Sequence, residues 1–230
     1  MSAIADNLQA VLSRIARAAE AAGRSPLSIN LLAVSKTKPL SDVLEAAAAG
    51  QCAFGENYVQ EGVEKLLAVG QEKKLEWHFI GPLQSNKTRL VAEHFDWVHS
   101  VDRLKVAERL SAQRPADLPP LQICLQVNVS GEASKSGCQP ADVLALCAAI
   151  AALPHLQLRG LMTIPEPVDD IAAQRLPFRQ LRELAAQVQA TGIALDTLSM
   201  GMSHDLEAAI AEGATLVRIG TAIFGERNYA

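Results

Sequence analysis

The sequence is short of aromatic residues (4% of 230), has only four cysteines and carries no surplus of positive charge. Each shortage removes a class of function. Lys plus Arg total 21 against 25 Asp plus Glu, a formal charge of -4, so the broad cationic face that nucleic acid or an anionic membrane would require is missing. No apolar run approaches the ~20 residues that span a bilayer. The opening MSAIADNLQAVLSRIARAAE sets Asp6, Arg14, Arg17 and Glu20 among its apolar positions, unlike a secretory signal, so a cytoplasmic location is expected. Cys52, Cys124, Cys138 and Cys147 lie far apart, with no C-x-x-C pair and no histidine at ligand spacing. That pattern speaks against a zinc site and a disulfide framework and for reduced core thiols. What the chain does have is 49% hydrophobic residues, enough for a large core and too many for disorder.

Ile4, Leu8, Val11, Leu12, Ile15 and Ala19 recur at spacings of three and four, which predicts an amphipathic helix over 2–22, closed by Gly23 and followed by Pro26. From there short apolar runs alternate with helical patterns. Strands are expected at Asn30–Ser35, Cys52–Gly55, Trp77–Ile80, Trp97–Val101, Leu121–Val129, Gln157–Met162, Leu195–Met200 and Thr215–Gly220. Helices are expected near 41–49, 57–69, 85–94, 103–113, 140–152, 177–190 and 203–211, several ending at a glycine suited to a C-cap: Gly50, Gly70, Gly192 and Gly213. Repeated βα units in a chain of this length predict an α/β fold, a single (β/α)₈ TIM barrel with an extra N-terminal helix. No linker interrupts it, because the proline-rich Arg114–Pro120 is short enough for a loop, so 1–230 reads as one domain. Such a barrel places chemistry at the C-terminal ends of its strands, with phosphate near strands seven and eight.

Three segments stand out at those ends. In Leu31-Leu32-Ala33-Val34-Ser35-Lys36, period-two alternation puts Lys36 on the face of Leu32 and Val34, an ammonium at the barrel mouth. A partly desolvated lysine can serve as an amine nucleophile toward an aldehyde; the plainer reading is an exposed lysine past a strand end. Ser199-Met200-Gly201-Met202-Ser203 follows strand seven, with Gly201 permitting close backbone approach and Ser203 placed to N-cap the next helix. Val217-Arg218-Ile219-Gly220-Thr221 buries one arginine in an apolar strand, which requires an acceptor, and offers N–H groups and a hydroxyl just beyond. The last two segments, on adjacent strands, together point to a phosphate site; separately they read as an ordinary cap and a core ion pair. Asn57, His78, His99 and Asn128 also fall at strand ends. The two histidines read as satisfied core residues rather than catalysts.

Gly81-Pro82-Leu83-Gln84-Ser85-Asn86-Lys87-Thr88 approaches the phosphate loop of nucleotide hydrolases, but Asn86 stands where the second glycine belongs and Pro82 removes an N–H. Lys87 and Arg89 read instead as a basic rim or a solvated helix face.

These residues, with Phe54-Gly55-Glu56-Asn57-Tyr58, Trp77-His78-Phe79-Ile80-Gly81, Ser134-Lys135-Ser136-Gly137 and Leu161-Met162, resemble the pyridoxal 5'-phosphate (PLP) homeostasis proteins, the YggS or PROSC family, nearly end to end. The resemblance implies a PLP fold-type III barrel like the N-terminal domain of alanine racemase. It implies PLP held as a Schiff base on Lys36, its phosphate on Gly201, Met202, Ser203, Gly220 and Thr221. Arg218 would face the pyridine nitrogen and Asn57 would lie near the ring. An arginine beside that nitrogen disfavours its protonation and weakens the ring as an electron sink. The β-domain that gives the racemases a second acid/base and a dimer interface is not expected, and neither Tyr58 nor Tyr229 holds such a place. The implied role is therefore non-catalytic: binding, buffering and delivering PLP in vitamin B6 homeostasis as a monomer, with PLP-dependent apo-enzymes as recipients and amino acid pools affected indirectly. The alternative is a weak PLP-dependent racemase. Lys38, Lys87 and Lys135 stay open as secondary amine acceptors or surface charges.

Overall fold

Leu8, Val11, Ile15 and Ala19 form the buried stripe of the first helix, α1 (Ala3–Ala21), as their spacing requires. The computed structural model describes residues 3–70, 74–131 and 136–226. After α1 come β1 (Asn30–Val34), α2 (Leu40–Ala48), β2 (Ala53–Glu56), α3 (Val59–Val69), β3 (Glu76–Phe79), α4 (Thr88–His94), β4 (Trp97–Val101) and α5 (Leu104–Gln113). The second half follows with β5 (Leu121–Gln126), α6 (Val143–Ala151), β6 (Leu156–Met162), α7 (Ile171–Ala190), β7 (Thr197–Ser199), α8 (Leu206–Ala211), β8 (Leu216–Ile219) and α9 (Thr221–Phe224).

The strands close in chain order into a parallel barrel in which β1 pairs with both β2 and β8. Alternate strand residues separate two cores. Leu31, Ala33, Phe54, Phe79, Val98 and Ile219 point outward and pack against the helices in one continuous cluster. Leu32, Ile80 and Leu216, with Trp97, Cys124 and Met162, fill the interior. Each Leu, Ile, Val, Phe or Met side chain among them removed from water contributes roughly 1.5–3 kcal/mol, which makes the register of the strands hard to shift.

The expected elements are present, with shifted ends. α7 begins at Ile171 rather than 177: Asp170 caps it by accepting from the Ala173 N–H at 2.7 Å, and Pro177 lies inside the helix instead of opening it. β5 stops at Gln126, short of Val129, and α9 was not foreseen because a single turn shows no periodicity. Gly50, Gly70, Gly192 and Gly213 all have positive φ at helix ends, as C-caps require.

α9 is too short to cover the seam between β8 and β1. α1 takes that place, packing against α8, α9 and α2, so the outer ring is completed by the segment that comes first in the chain.

Candidate functional site

At the C-terminal ends of β1 and β8 a cavity of about 250 Å³ is lined by Lys36, Asn57, Met202, Ser203, Arg218, Gly220 and Thr221, with Val34, Ile80, Ile164 and His204. It brings together seven of the eight residues singled out from the sequence. Gly201 does not line it. With φ 98° and its Cβ position 2.6 Å from Ala209 Cβ, Gly201 lets the loop pass close over α8. A second cavity of about 390 Å³ shares Asn57, Ile80, Ile164 and Met202 and forms an outer vestibule. The larger cavity, about 710 Å³, lies at the opposite mouth, where Glu76 and Asn30 begin their strands.

Lys36 leaves β1 between two anchored neighbours. Ser35 Oγ donates to Glu56 Oε1 at 2.7 Å, while Lys65 Nζ donates to Ser35 O at 2.8 Å, Glu56 Oε1 at 2.8 Å and Glu61 Oε1 at 2.6 Å. The Thr37 N–H donates to Glu61 at 2.6 Å, and Thr37 has φ 62°, a left-handed backbone that a β-branched residue adopts only when its surroundings impose it. Burial pushes the Glu56 carboxyl up, against the pull of Lys65. Asn57 follows β2, and its buried Oδ1 has no hydrogen-bond partner among the described residues. Gly81 is required beside it, since a Cβ there would stand 2.1 Å from Asn57 O.

On the far wall, Arg218 is buried; Nη1 donates to Ser199 Oγ at 2.8 Å and Nη2 to Thr163 O at 2.9 Å. Burial lowers its pKa to about 10, so it keeps its charge at neutral pH. The β7–α8 loop differs from expectation. Ser203 is not an N-cap, because α8 begins at Leu206 after Asp205. The Met202 N–H donates instead to Asp205 Oδ1 at 2.6 Å, and Ser203 O accepts from Arg14 Nη1 at 2.6 Å. Arg14 also grips Glu207 through two bonds of 2.5 and 2.7 Å, so α1 holds this loop.

The remaining candidates separate cleanly. His78 and His99 are buried and hydrogen-bonded to each other at 2.8 Å, as satisfied core residues. Asn128 is buried at the end of β5 and accepts from the Gly131 N–H at 3.1 Å, outside the cavity lining. In the 81–88 segment Lys87 is exposed, and Thr88 Oγ1 donates to Ser85 O at 3.0 Å, not to a phosphate cradle. Arg89 lies on a solvated helix face, 3.6 Å from Glu93. Lys38 Nζ donates to Phe224 O at 2.9 Å and Glu226 O at 2.7 Å, a tie between loop and C-terminal segment. Ser134, Lys135 and Tyr229 lie outside the described residues. All four cysteines are free, and burial pushes Cys124, Cys138 and Cys147 up to about 12.

Residues 6–228 match the family described as alanine racemase, N-terminal domain. A pyridoxal phosphate homeostasis protein of Pseudomonas aeruginosa is 63% identical over 229 residues, covering 100% of this chain and 98% of that protein. The protein of the same name from Escherichia coli K12 is 57% identical over 232 residues, with coverage of 100% and 99%. The chain belongs to the pyridoxal phosphate homeostasis protein family. PipY of Synechococcus elongatus PCC7942, solved with PLP bound, superposes with a TM-score of 0.85 at 41% identity, covering 96% of this chain and 100% of that one. The family assignment and the closed eight-stranded barrel bear out the sequence-based expectation.

Sequence reasoning missed Arg14, Thr163 and His204 at this site. Arg14 and Thr163 reach it only through long-range contacts, and His204 enters because the turn before α8 folds it toward the cavity.

Proposed function

We propose that this chain binds PLP at the C-terminal mouth of the barrel, anchored to Lys36, and stores and hands on the cofactor instead of using it in catalysis. The observation that carries this reading is the convergence of Lys36, Asn57, Arg218 and the two backbone segments at 202–203 and 220–221 on one cavity. The names of the relatives and the PLP-bound PipY structure support it. So does the unpartnered Asn57 Oδ1, a buried acceptor suited to a ring hydroxyl.

PLP supplies an aldehyde that condenses reversibly with a primary amine. The chain's residues then have distinct tasks. Lys36 provides the amine, kept in place by the anchors on Ser35 and Thr37. Met202, Ser203, Gly220 and Thr221 would hold the phosphate, with Gly201 permitting the loop's path. Asn57 would lie beside the ring. Arg218 would face the ring nitrogen, and a fixed cation there would disfavour ring protonation, which suits holding over carbanion chemistry. Residues 1–230 act as one domain, monomeric and cytoplasmic, with PLP-dependent apo-enzymes as recipients, readily approached through the open vestibule.

The test is the visible spectrum of the purified protein with borohydride reduction and peptide mapping. A label on Lys36, lost in Lys36→Ala while cooperative unfolding persists, upholds the reading; no band after added PLP refutes it. A weak racemase is the second reading, favoured by His204, an exposed imidazole on the cavity wall. It is rejected if no amino acid exchanges its α-proton in deuterated buffer.

A further inference from the structure

Arg218 forms no ion pair among the described residues, and both of its side-chain hydrogen bonds go to neutral oxygens. The carboxylate whose charge acts on it is the buried Asp205, which accepts from the Met202 N–H and not from Arg218, so neutral partners set how the guanidinium is oriented. From Ser199 Oγ the contacts continue down the barrel interior: to His99 Nδ1 at 2.8 Å, from His99 Nε2 to His78 Nδ1 at 2.8 Å, and from His78 Nε2 to Glu76 Oε1 at 2.7 Å. Ser199, His99 and His78 are buried, whereas the Glu76 side chain is 51% exposed in the 710 Å³ cavity at the N-terminal mouth.

The proton positions follow from the two ends. Arg218 can only donate, so Ser199 Oγ accepts from it and turns its own hydrogen to His99 Nδ1. Burial, with His78 and Arg218 nearby, holds the His99 pKa well below the imidazole range, so His99 is neutral and its one N–H is at Nε2. It donates to His78 Nδ1, and His78 Nε2–H donates to Glu76, whose carboxyl that bond holds below its usual range. Each donor therefore points away from the guanidinium and toward the carboxylate, and aligned bonds of this kind polarise one another.

We infer that Ser199, His99 and His78, anchored at Glu76, are positioning residues for Arg218, fixing the orientation of its guanidinium through one chain of hydrogen bonds that runs from one mouth of the barrel to the pocket at the other. The effect on PLP rests on the functional reading above; the alignment itself belongs to the protein without PLP.

Nitrogen-15 spectra of the PLP-free full-length chain at neutral pH test the alignment: His99 and His78 should each be protonated at Nε2, and a His99 protonated at Nδ1 overturns it. Equilibrium PLP binding tests the consequence. His99→Leu should raise the Kd about tenfold and shift the absorption maximum of the bound cofactor, the loss expected when a charge-assisted contact is loosened. His99→Gln, whose amide both accepts and donates, should stay within about threefold of wild type. Equal affinity and identical spectra for His99→Leu and wild type overturn the inference. Glu76→Leu, at a half-exposed position, removes the terminal acceptor; a His99 signal and a Kd both unchanged would overturn the role of Glu76 as the anchor of the chain. A wild-type chain that shows these tautomers yet binds no PLP would sink the functional reading and leave the alignment standing.

Discussion

Replacing Arg218 by alanine sets two opposed effects against each other. Burial draws its pKa from 12.5 to about 10, which corresponds to about 3 kcal/mol of unfavourable charge burial that the variant would shed. Against this stand two bonds from a charged donor, 2.8 Å to Ser199 Oγ and 2.9 Å to Thr163 O, worth about 1.5–3 kcal/mol each, and the void that the side chain leaves. The bonds outweigh the burial cost by about 0–3 kcal/mol and the void adds to that, so the PLP-free variant should lose about 1–5 kcal/mol, read by urea unfolding of both proteins side by side. PLP affinity should fall by about ten- to a hundredfold, since one charge-assisted bond to the ring nitrogen disappears. A variant as stable as wild type that retains PLP equally well would refute the account. A loss above about 5 kcal/mol with undiminished affinity would show that the arginine serves the fold alone.

Gly81→Ala should cost about 1–3 kcal/mol in urea unfolding, because a Cβ 2.1 Å from Asn57 O forces the backbone apart, and it should weaken PLP binding by displacing Asn57. A thiol reagent added to the native protein should label Cys52 quickly and the other three only on unfolding, since Cys52 alone is exposed and burial pushes the others up to about 12. Burial raises the Glu212 carboxyl, but bonds from Arg179 and Arg175 outweigh it and hold the pKa below 4.5. Its contribution should accordingly be complete above that value and fade as pH falls through the folded pKa, so the stability gap between wild type and Glu212→Gln should shrink in acid.

Lys36 and Arg218 were legible because each breaks an apolar run at a strand end, and two-residue alternation alone says which way they face. Asn57, Gly220 and Thr221 followed from where a barrel presents its loops. Ser203 misled: a serine after a strand reads as a cap, yet α8 begins three residues later at Leu206, and the Asp205 carboxylate turns back to accept from the Met202 N–H. The grip of Arg14 on Ser203 O spans 189 residues, and no local pattern encodes a contact between the first helix and the seventh loop. Pro177 misplaced a helix start for a related reason, since proline also fits within a helix whose cap is supplied upstream by Asp170. His78 and His99 were read as core, but their partnership depends on the register of β3 against β4 and on β7 across the interior, which only closure creates.

The completion of the outer ring by α1 has a consequence for how the chain reaches its native state. α1 precedes every barrel strand, whereas its main partners, α8 and α9, follow β7 and β8. Most of the partners of its apolar stripe are therefore missing until α8 and α9 have emerged, and a nascent chain stalled before β8 cannot seal the barrel. Barrel closure should follow the synthesis of β8 and α9, with β1, β8 and α1 docking together as its late event. A cut between α1 and β1 that permits the helix to be added in trans would turn that seam into a reversible assembly step.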